Sequence, residues 1–200
     1  MKSKSHAAPD VRICTISTSA ALVHERVSVA IENTFPLDYV DPTAFKDVLR
    51  AVVGSVSIVA TGQGEKRRGL TVTAAPSLCV DPPMALVCIN RSAEAHDIIL
   101  ESGAFSRNVL STDDVPLAQR FAAMDGSKGA CRFTPAEWGE LATGSPILLS
   151  SVCSFDCRVQ GTLQAGTHAI VTGAAIAQNS NRDKDPLNYS MGESRAVDQQ

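Results

Sequence analysis

Residues Gly69 to Ser92 read GLTVTAAPSLCVDPPMALVCINRS. The β-branched and apolar residues of this stretch predict a strand ending near Ala75, a second over Ser77–Val80 and a third over Met84–Asn90. Asp81-Pro82-Pro83 lies between the last two, where paired prolines forbid continuous strand pairing. Ser92 reads as the cap of a helix running to Ser102, with Glu94 favourable in its first turn and Gly103 as its stop. The polar side chains of Thr71, Thr73, Ser77, Asn90, Arg91 and Ser92 fall at bends and strand ends. That placement suits a grip on a phosphorylated aromatic ligand at the rim of a small barrel.

Working outward, Ser55–Thr61 is a β-branched run joined through Gly62–Glu65 to a strand over about Arg67–Ala75, which predicts a hairpin. Before it, Asp41-Pro42 marks a helix start, with Phe45, Val48, Leu49 and Val52 on one apolar face and Gly54 as the stop. Residues 1–40 are set apart as an N-terminal arm, disordered over about 1–10, with short apolar alternations over Val11–Ile31 that read as an arm or a strand. Downstream, Ala104–Leu110 reads as a strand, and Thr112 opens a helix carrying Leu117, Phe121 and Met124. Thr134-Pro135-Ala136-Glu137 reads as a capping box that starts a short helical turn. Ser151–Leu163 and His168–Gln178 form a long hairpin, and the tail from Asn179 is polar and turn-rich. Strands adjacent in sequence pair through short turns and no βαβ repeat is present. The chain is therefore expected to be mainly β, a Greek-key barrel with peripheral α-helices.

Two hundred residues fit one domain with a real core, and a 44% hydrophobic content fits a soluble one. A net charge of −3 gives no basic face for nucleic acid or an acidic membrane. No run approaches the roughly 18–20 apolar residues of a membrane span, and the N-terminus lacks the apolar stretch of a signal peptide. The six cysteines read as small buried hydrophobes in a reducing cytoplasm. Cys153 and Cys157 lie on one predicted strand, about 13 Å apart, too far to share a metal. No zinc spacing occurs, so no metal site is expected.

Seven segments then align in order and spacing: FKDVLRAVVGSVSIVAT, the opening stretch, the helix containing His96, GAFSRNVLS, RFAAMDG, GTHAIVTG and PLNYSMG. Over roughly Pro42–Gly192 the chain resembles the flavin reductase family with an FMN-binding split β-barrel, the reductase partners of two-component monooxygenases. The resemblance implies a split-barrel domain over residues 41–192 and a tail over 193–200. It also implies hydride transfer from NADH or NADPH to N5 of FMN or FAD, a homodimer with one flavin per subunit near the interface, and an oxygenase component that receives reduced flavin. On the same resemblance Thr71, Val72, Thr73, Ala74 and Ala75 line the flavin ring. Asn90, Arg91 and Ser92 hold the ribityl chain and phosphate, with His96 on the same helix segment, and Asn108 completes the cradle. His168 faces the nicotinamide or substrate side and is the candidate catalytic residue.

The chemistry is consistent with those places. A phosphate needs N–H and O–H donors, which Ser92 beside a helix start supplies, and Arg91 adds charge-assisted bonding. Ala74 and Ala75 permit close approach of a flat ring. The chain departs from the family pattern at Ala93 and Ala95, where relatives carry further hydroxyls, at Thr167 in place of an acid, and at Ser194 in place of a tyrosine.

Each residue also has a plainer reading. Thr71, Thr73 and Ser77 are ordinary sheet residues, Asn108 bonds a turn, and His96 beside Asp97 sits on an exposed polar face. His168 is then a surface hairpin histidine and Tyr189 packs under the C-terminal turn. Lys66-Arg67-Arg68 is either a solvated tip or an attractor for an anionic nicotinamide cofactor. Two other functions share the barrel: a retained flavin that reduces a corrinoid or metal complex, and flavin binding without turnover.

Overall fold

The computed structural model describes residues 27–30 and 38–195. The expected disorder of residues 1–10, and most of the alternation over Val11–Ile31, lie outside the described residues. The elements in order are β1 (Val27–Ala30), α1 (Pro42–Leu49), β2 (Gly54–Ser55), β3 (Ser57–Thr61), β4 (Arg68–Val72), β5 (Ser77–Val80), β6 (Pro83–Asn90) and α2 (Glu94–Ser102). They continue with β7 (Ala104–Val109), α3 (Val115–Phe121), β8 (Trp138–Glu140), β9 (Pro146–Leu148), β10 (Cys153–Ala165), β11 (His168–Ser180), β12 (Asn188–Ser190) and β13 (Glu193–Arg195).

The main sheet runs β4-β3-β7-β10-β11-β6-β5, antiparallel throughout, with β1 added parallel to β10. Its ends curl towards each other. Beyond β4 the chain reaches β6, where Cys88 N–H donates to Ala74 O at 2.9 Å and Leu86 N–H to Pro76 O at 3.4 Å. Two register shifts in β10, at Asp156/Cys157 and Val159/Gly161, supply the curvature. The result is the split barrel that the sequence predicted, with the helices outside it.

Strand parity divides the core in two. Val59, Val72, Val87, Ile89, Phe105, Cys157 and Val171 fill the barrel, with Ile99 of α2 plugging one end. Ile58, Ala60, Leu110, Leu117, Phe121, Phe133, Leu148 and Leu187 form a second core between the outer face of β3 and α3. All five residues of β3 are buried because both of its faces are covered. Gly173 shows how tightly the barrel is filled: a Cβ there would sit 2.6 Å from Phe105 Cε1.

Several local readings shift. Asp41 caps α1 by accepting from Ala44 N–H at 2.8 Å, but the helix stops at Arg50, and Gly54 begins β2 instead. Ser92 is not a helix cap: α2 starts behind Ala93, whose side chain cannot cap, and the Ser92 hydroxyl donates to Asn90 Oδ1 at 2.9 Å. Gly103 ends α2 at φ 67°, as its lack of a Cβ allows. Thr134 does not open a helical turn. It closes a 3₁₀ turn over Gly129–Phe133, its hydroxyl donating to Cys131 O at 3.0 Å. Met124 lies beyond α3 and is exposed. The expected tail boundary at residue 193 falls inside a small sheet of order β13-β12-β2.

Cysteine burial is uneven. Cys157 lies inside the barrel, where desolvation pushes its thiol pKa up to about 12, whereas Cys79 and Cys131 are exposed rather than core residues. No group of described residues could hold a metal ion, and no helix among them is long and apolar enough to cross a membrane.

Candidate functional site

The exposed edge of β4 faces α3, and a groove follows that edge. Thr71 ties the two together, its hydroxyl donating to Ala118 O at 2.7 Å. At one end lies a cleft of about 340 Å³ lined by Gly69, Thr71, Asn90, Ser92, Lys128 and Arg132 among others. Next to it, sharing Thr71 and Ala122, is a cleft of about 260 Å³ lined by Val56, Thr71, Val72, Thr73, Ala118 and Tyr189. A third, of about 440 Å³, shares Thr73 and Tyr189 and runs to Leu49 and Val53 beside Ala74. The groove is cationic at its first end and mainly apolar along the rest.

Sequence-local rules build the first end. Asn90 closes β6 and its Oδ1 accepts from both Ser92 N–H at 3.0 Å and Ser92 Oγ at 2.9 Å, a side-chain turn typical of asparagine. Arg91 N–H donates to Thr167 O at 3.0 Å, joining this corner to the β10–β11 turn. His168 is the register partner of Asn90 across β11 and β6, so the two side chains leave the sheet on one face. The Thr167 hydroxyl is 2.9 Å from His168 Nδ1.

The sequence-derived residues therefore separate. Thr71, Val72, Thr73, Asn90 and Ser92 line the joined clefts, and Ala74 lines the third. Arg91 and His168 are exposed beside the first end. Three others are turned inward. Ala75 is 3% exposed and packs in the barrel core. His96 is 8% exposed, not on an open polar face, with Nδ1 2.7 Å from Asp97 Oδ1. Asn108 is wholly buried and its side chain is fully engaged. Its Nδ2 donates to Ile58 O at 3.2 Å and Ser106 Oγ at 3.0 Å, and its Oδ1 accepts from Leu148 N–H at 2.9 Å and Ser154 Oγ at 2.8 Å. It ties β3, β7, β9 and β10 together and has no atom left for a cradle.

The basic cluster also resolves. Arg67 stacks over the Phe133 ring at 4.9 Å and Arg68 Nε pairs with Glu94 at 3.5 Å, so neither is a free solvated tip. Lys128 and Arg132 were hidden from sequence reasoning because about 60 residues separate them from β4. Arg132 is held by backbone carbonyls, its Nη1 donating to Gly69 O at 3.2 Å and its Nε to Ser127 O at 2.9 Å. A larger cavity of about 710 Å³ uses other faces of α3 and carries Asp113, Asp114, Asp125 and Glu137 around Arg120. Its acidic lining suits no phosphorylated ligand.

Residues 49–198 match the family described as flavin reductase like domain. The FMN reductase (NADH) RutF of Serratia proteamaculans is 34% identical over 151 residues, covering 76% of this chain and 85% of that protein. Its counterpart from Bradyrhizobium diazoefficiens is 35% identical over 150 residues, covering 75% and 82%. The crystal structure of BorF, the flavin reductase component of a bacterial two-component tryptophan halogenase, superposes with a TM-score of 0.73 at 26% identity, covering 80% of this chain and all of that one.

Proposed function

This chain belongs to the flavin reductase like domain family, and from that premise we propose that it is an NADH-dependent flavin reductase acting on FMN. The observation that carries the reading is the groove itself. It offers a cationic end built from Asn90, Ser92, Lys128 and Arg132, and a mainly apolar run along Thr71–Thr73 against Ala118 and Ala122. Such polarity fits a flat ring with a phosphorylated tail, so the residues present suit a flavin. When bound, the flavin supplies the redox chemistry by accepting hydride from the nicotinamide.

The chain's own part is binding and alignment. Thr71 and Thr73 present the β4 edge to the ring, with the Thr71 hydroxyl already committed to Ala118 O. Asn90 fixes the turn that presents Ser92, and Arg91 stands beside it at the phosphate end. His168 shares the outer face with Asn90, which supports a role for it in meeting the nicotinamide. The test is NADH oxidation by the purified protein with FMN, FAD or no flavin added. A rate that scales with FMN supports the reading; no oxidation with either flavin sinks it. His168→Ala is expected to raise the nicotinamide KM or lower kcat about tenfold while flavin still binds. A variant altered only in its melting temperature would remove His168 from the site.

We also assign the protein as a homodimer that delivers reduced flavin to an oxygenase component in the cytoplasm. The five cysteines among the described residues are free, which suits a reducing compartment. The dimer rests on α1, which has no buried residue although Phe45, Val48 and Leu49 lie on it. Tyr39, Val40, Val52 and Val53 extend the patch, each more than 60% exposed. Sedimentation is expected to give a dimer that Val48→Asp converts to monomer; a monomeric wild type would refute this.

A further inference from the structure

One buried cation stands without a counter-charge. Arg107 lies mid-strand in β7 and is 8% exposed. Its register partners are Val59 on β3 and Phe155 on β10, and Phe155 in turn lies opposite Gln178 on β11. Directly paired residues share a face of the sheet, and Val59 belongs to the barrel core, so this row points into the barrel. Exposure climbs along it, from fully buried Val59 through half-buried Phe155 to exposed Gln178. Two residues earlier on β7 the interior is sealed, because Phe105 and its partner Cys157 are both fully buried. The barrel is thus plugged at the level of Phe105 and opens at the level of Arg107. There the guanidinium uses few of its donors. Its Nε donates to Ser57 Oγ at 3.3 Å, and its Cζ stands 5.9 Å from the centre of the Phe155 ring. The two terminal nitrogens donate to no described residue, and no carboxylate among the described residues pairs with them.

The buried carboxylates among the described residues are committed elsewhere. Asp156 follows Phe155 on β10 and so points to the opposite face, where it accepts from Thr143 N–H at 2.7 Å. Asp114 accepts from Ser111 and Ser150. Burial draws the Arg107 pKa down from the ordinary arginine value, yet a guanidinium keeps its proton inside a protein. A buried charge with no partner is costly, so this one calls for an anion from outside the described residues. We propose that the open mouth of the barrel binds a small carboxylic acid with an aromatic or apolar body, Arg107 taking the carboxylate and Phe155 the body. The free edge of the guanidinium offers two parallel N–H groups, the fork that matches a carboxylate. One cation in apolar surroundings balances a single negative charge, which suits a carboxylate better than a phosphate of about −1.5 to −2. Barrel mouths are recurrent places for such ligands. Arg107, Ser57 and Phe155 line none of the three clefts of the flavin groove, and the inference does not depend on the flavin reading.

The experiment is calorimetric titration of the purified full-length protein, without flavin or nicotinamide, with benzoate and with benzamide, its uncharged analogue. The wild type is expected to bind benzoate with a Kd on the order of 1 mM and benzamide about tenfold more weakly. Arg107→Met, apolar and of similar reach, should weaken benzoate binding about tenfold and melt no lower than the wild type, since it removes an unpaired buried charge. Equal affinity of the wild type for benzoate and benzamide overturns the site, and that comparison needs no variant. Benzoate binding unchanged in Arg107→Met overturns it too. Sedimentation of the same variant separates the other source of a carboxylate. If the wild type binds no benzoate and Arg107→Met turns a dimer into monomers, the counter-charge comes from a second copy and the small-acid site is overturned. Each of these failures leaves the flavin reading standing.

Discussion

Asn108→Ala is expected to cost on the order of 3–5 kcal/mol of unfolding free energy, while leaving flavin affinity in the surviving folded fraction nearly unchanged. Asn108 is completely buried, and truncation strands a backbone N–H, that of Leu148, and a hydroxyl, that of Ser154. It also strips one donor from Ile58 O. Each buried group left unpaired costs about 1–3 kcal/mol. For a chain of this size that loss lowers the melting temperature by roughly 10 °C. Asn108→Asp keeps the acceptor but turns a carboxylate oxygen towards Ile58 O and Ser106 Oγ, where only a donor fits Ile58 O. Burial and the facing oxygen raise that carboxyl's pKa above its unfolded value of about 3.9. The folded form then holds its proton longer, so this variant is most stable in acid and loses stability as pH rises past that value. Thermal melts against pH check both variants. A normal melt with lost flavin binding would return Asn108 to the cradle.

That residue also shows where sequence reasoning stops. Residues 104–110 are all buried, so β7 offers no alternation from which to tell an inward side chain from an outward one. Asn108 could be placed on a strand but not on a face. The same holds for Ala75 and His96, whose burial depends on how the barrel closes and how α2 lies across its end. Local chemistry was far more legible. Asp41 with Pro42, Gly103, and Pro82 between β5 and β6 each stop or start an element through their own backbone constraints, and the structure puts those elements there. Where two local rules compete, reading fails. Ser92 has the right side chain for a cap, but Asn90 captures it first, and the helix begins one residue later. Of the groove's first end, Asn90 and Ser92 were legible but its two lining cations were not. Lys128 and Arg132 reach Gly69 and Asn90 only because α3 folds back along the edge of β4.

Phe121→Ala is expected to damage stability and flavin binding together, and the coupling between them is the informative part. Phe121 is 1% exposed, packs edge-on to Phe133 at 4.9 Å and tilts against Trp138 at 5.6 Å. It also presses on Gly69 so closely that a Cβ there would lie 2.7 Å from its ring. Truncating a buried phenylalanine costs about 3–5 kcal/mol, and this one borders the first cleft of the groove. The void it leaves opens into that cleft, and α3 loses a contact that, beside the Thr71 hydroxyl bond to Ala118 O, holds it against β4. Phe121→Leu fills more of the space and should lose less. A ligand that binds only the folded protein stabilises it by about 2.7 kcal/mol at a hundred times its Kd. FMN should therefore raise the melting temperature of the wild type by several degrees at that excess. At the same FMN concentration the rise should be clearly smaller for Phe121→Ala, because the variant's Kd is larger. Asn108→Ala supplies the contrast, with a low melting point but the full FMN-induced rise. If Phe121→Ala instead shows the full rise, the groove along β4 is not where the flavin binds.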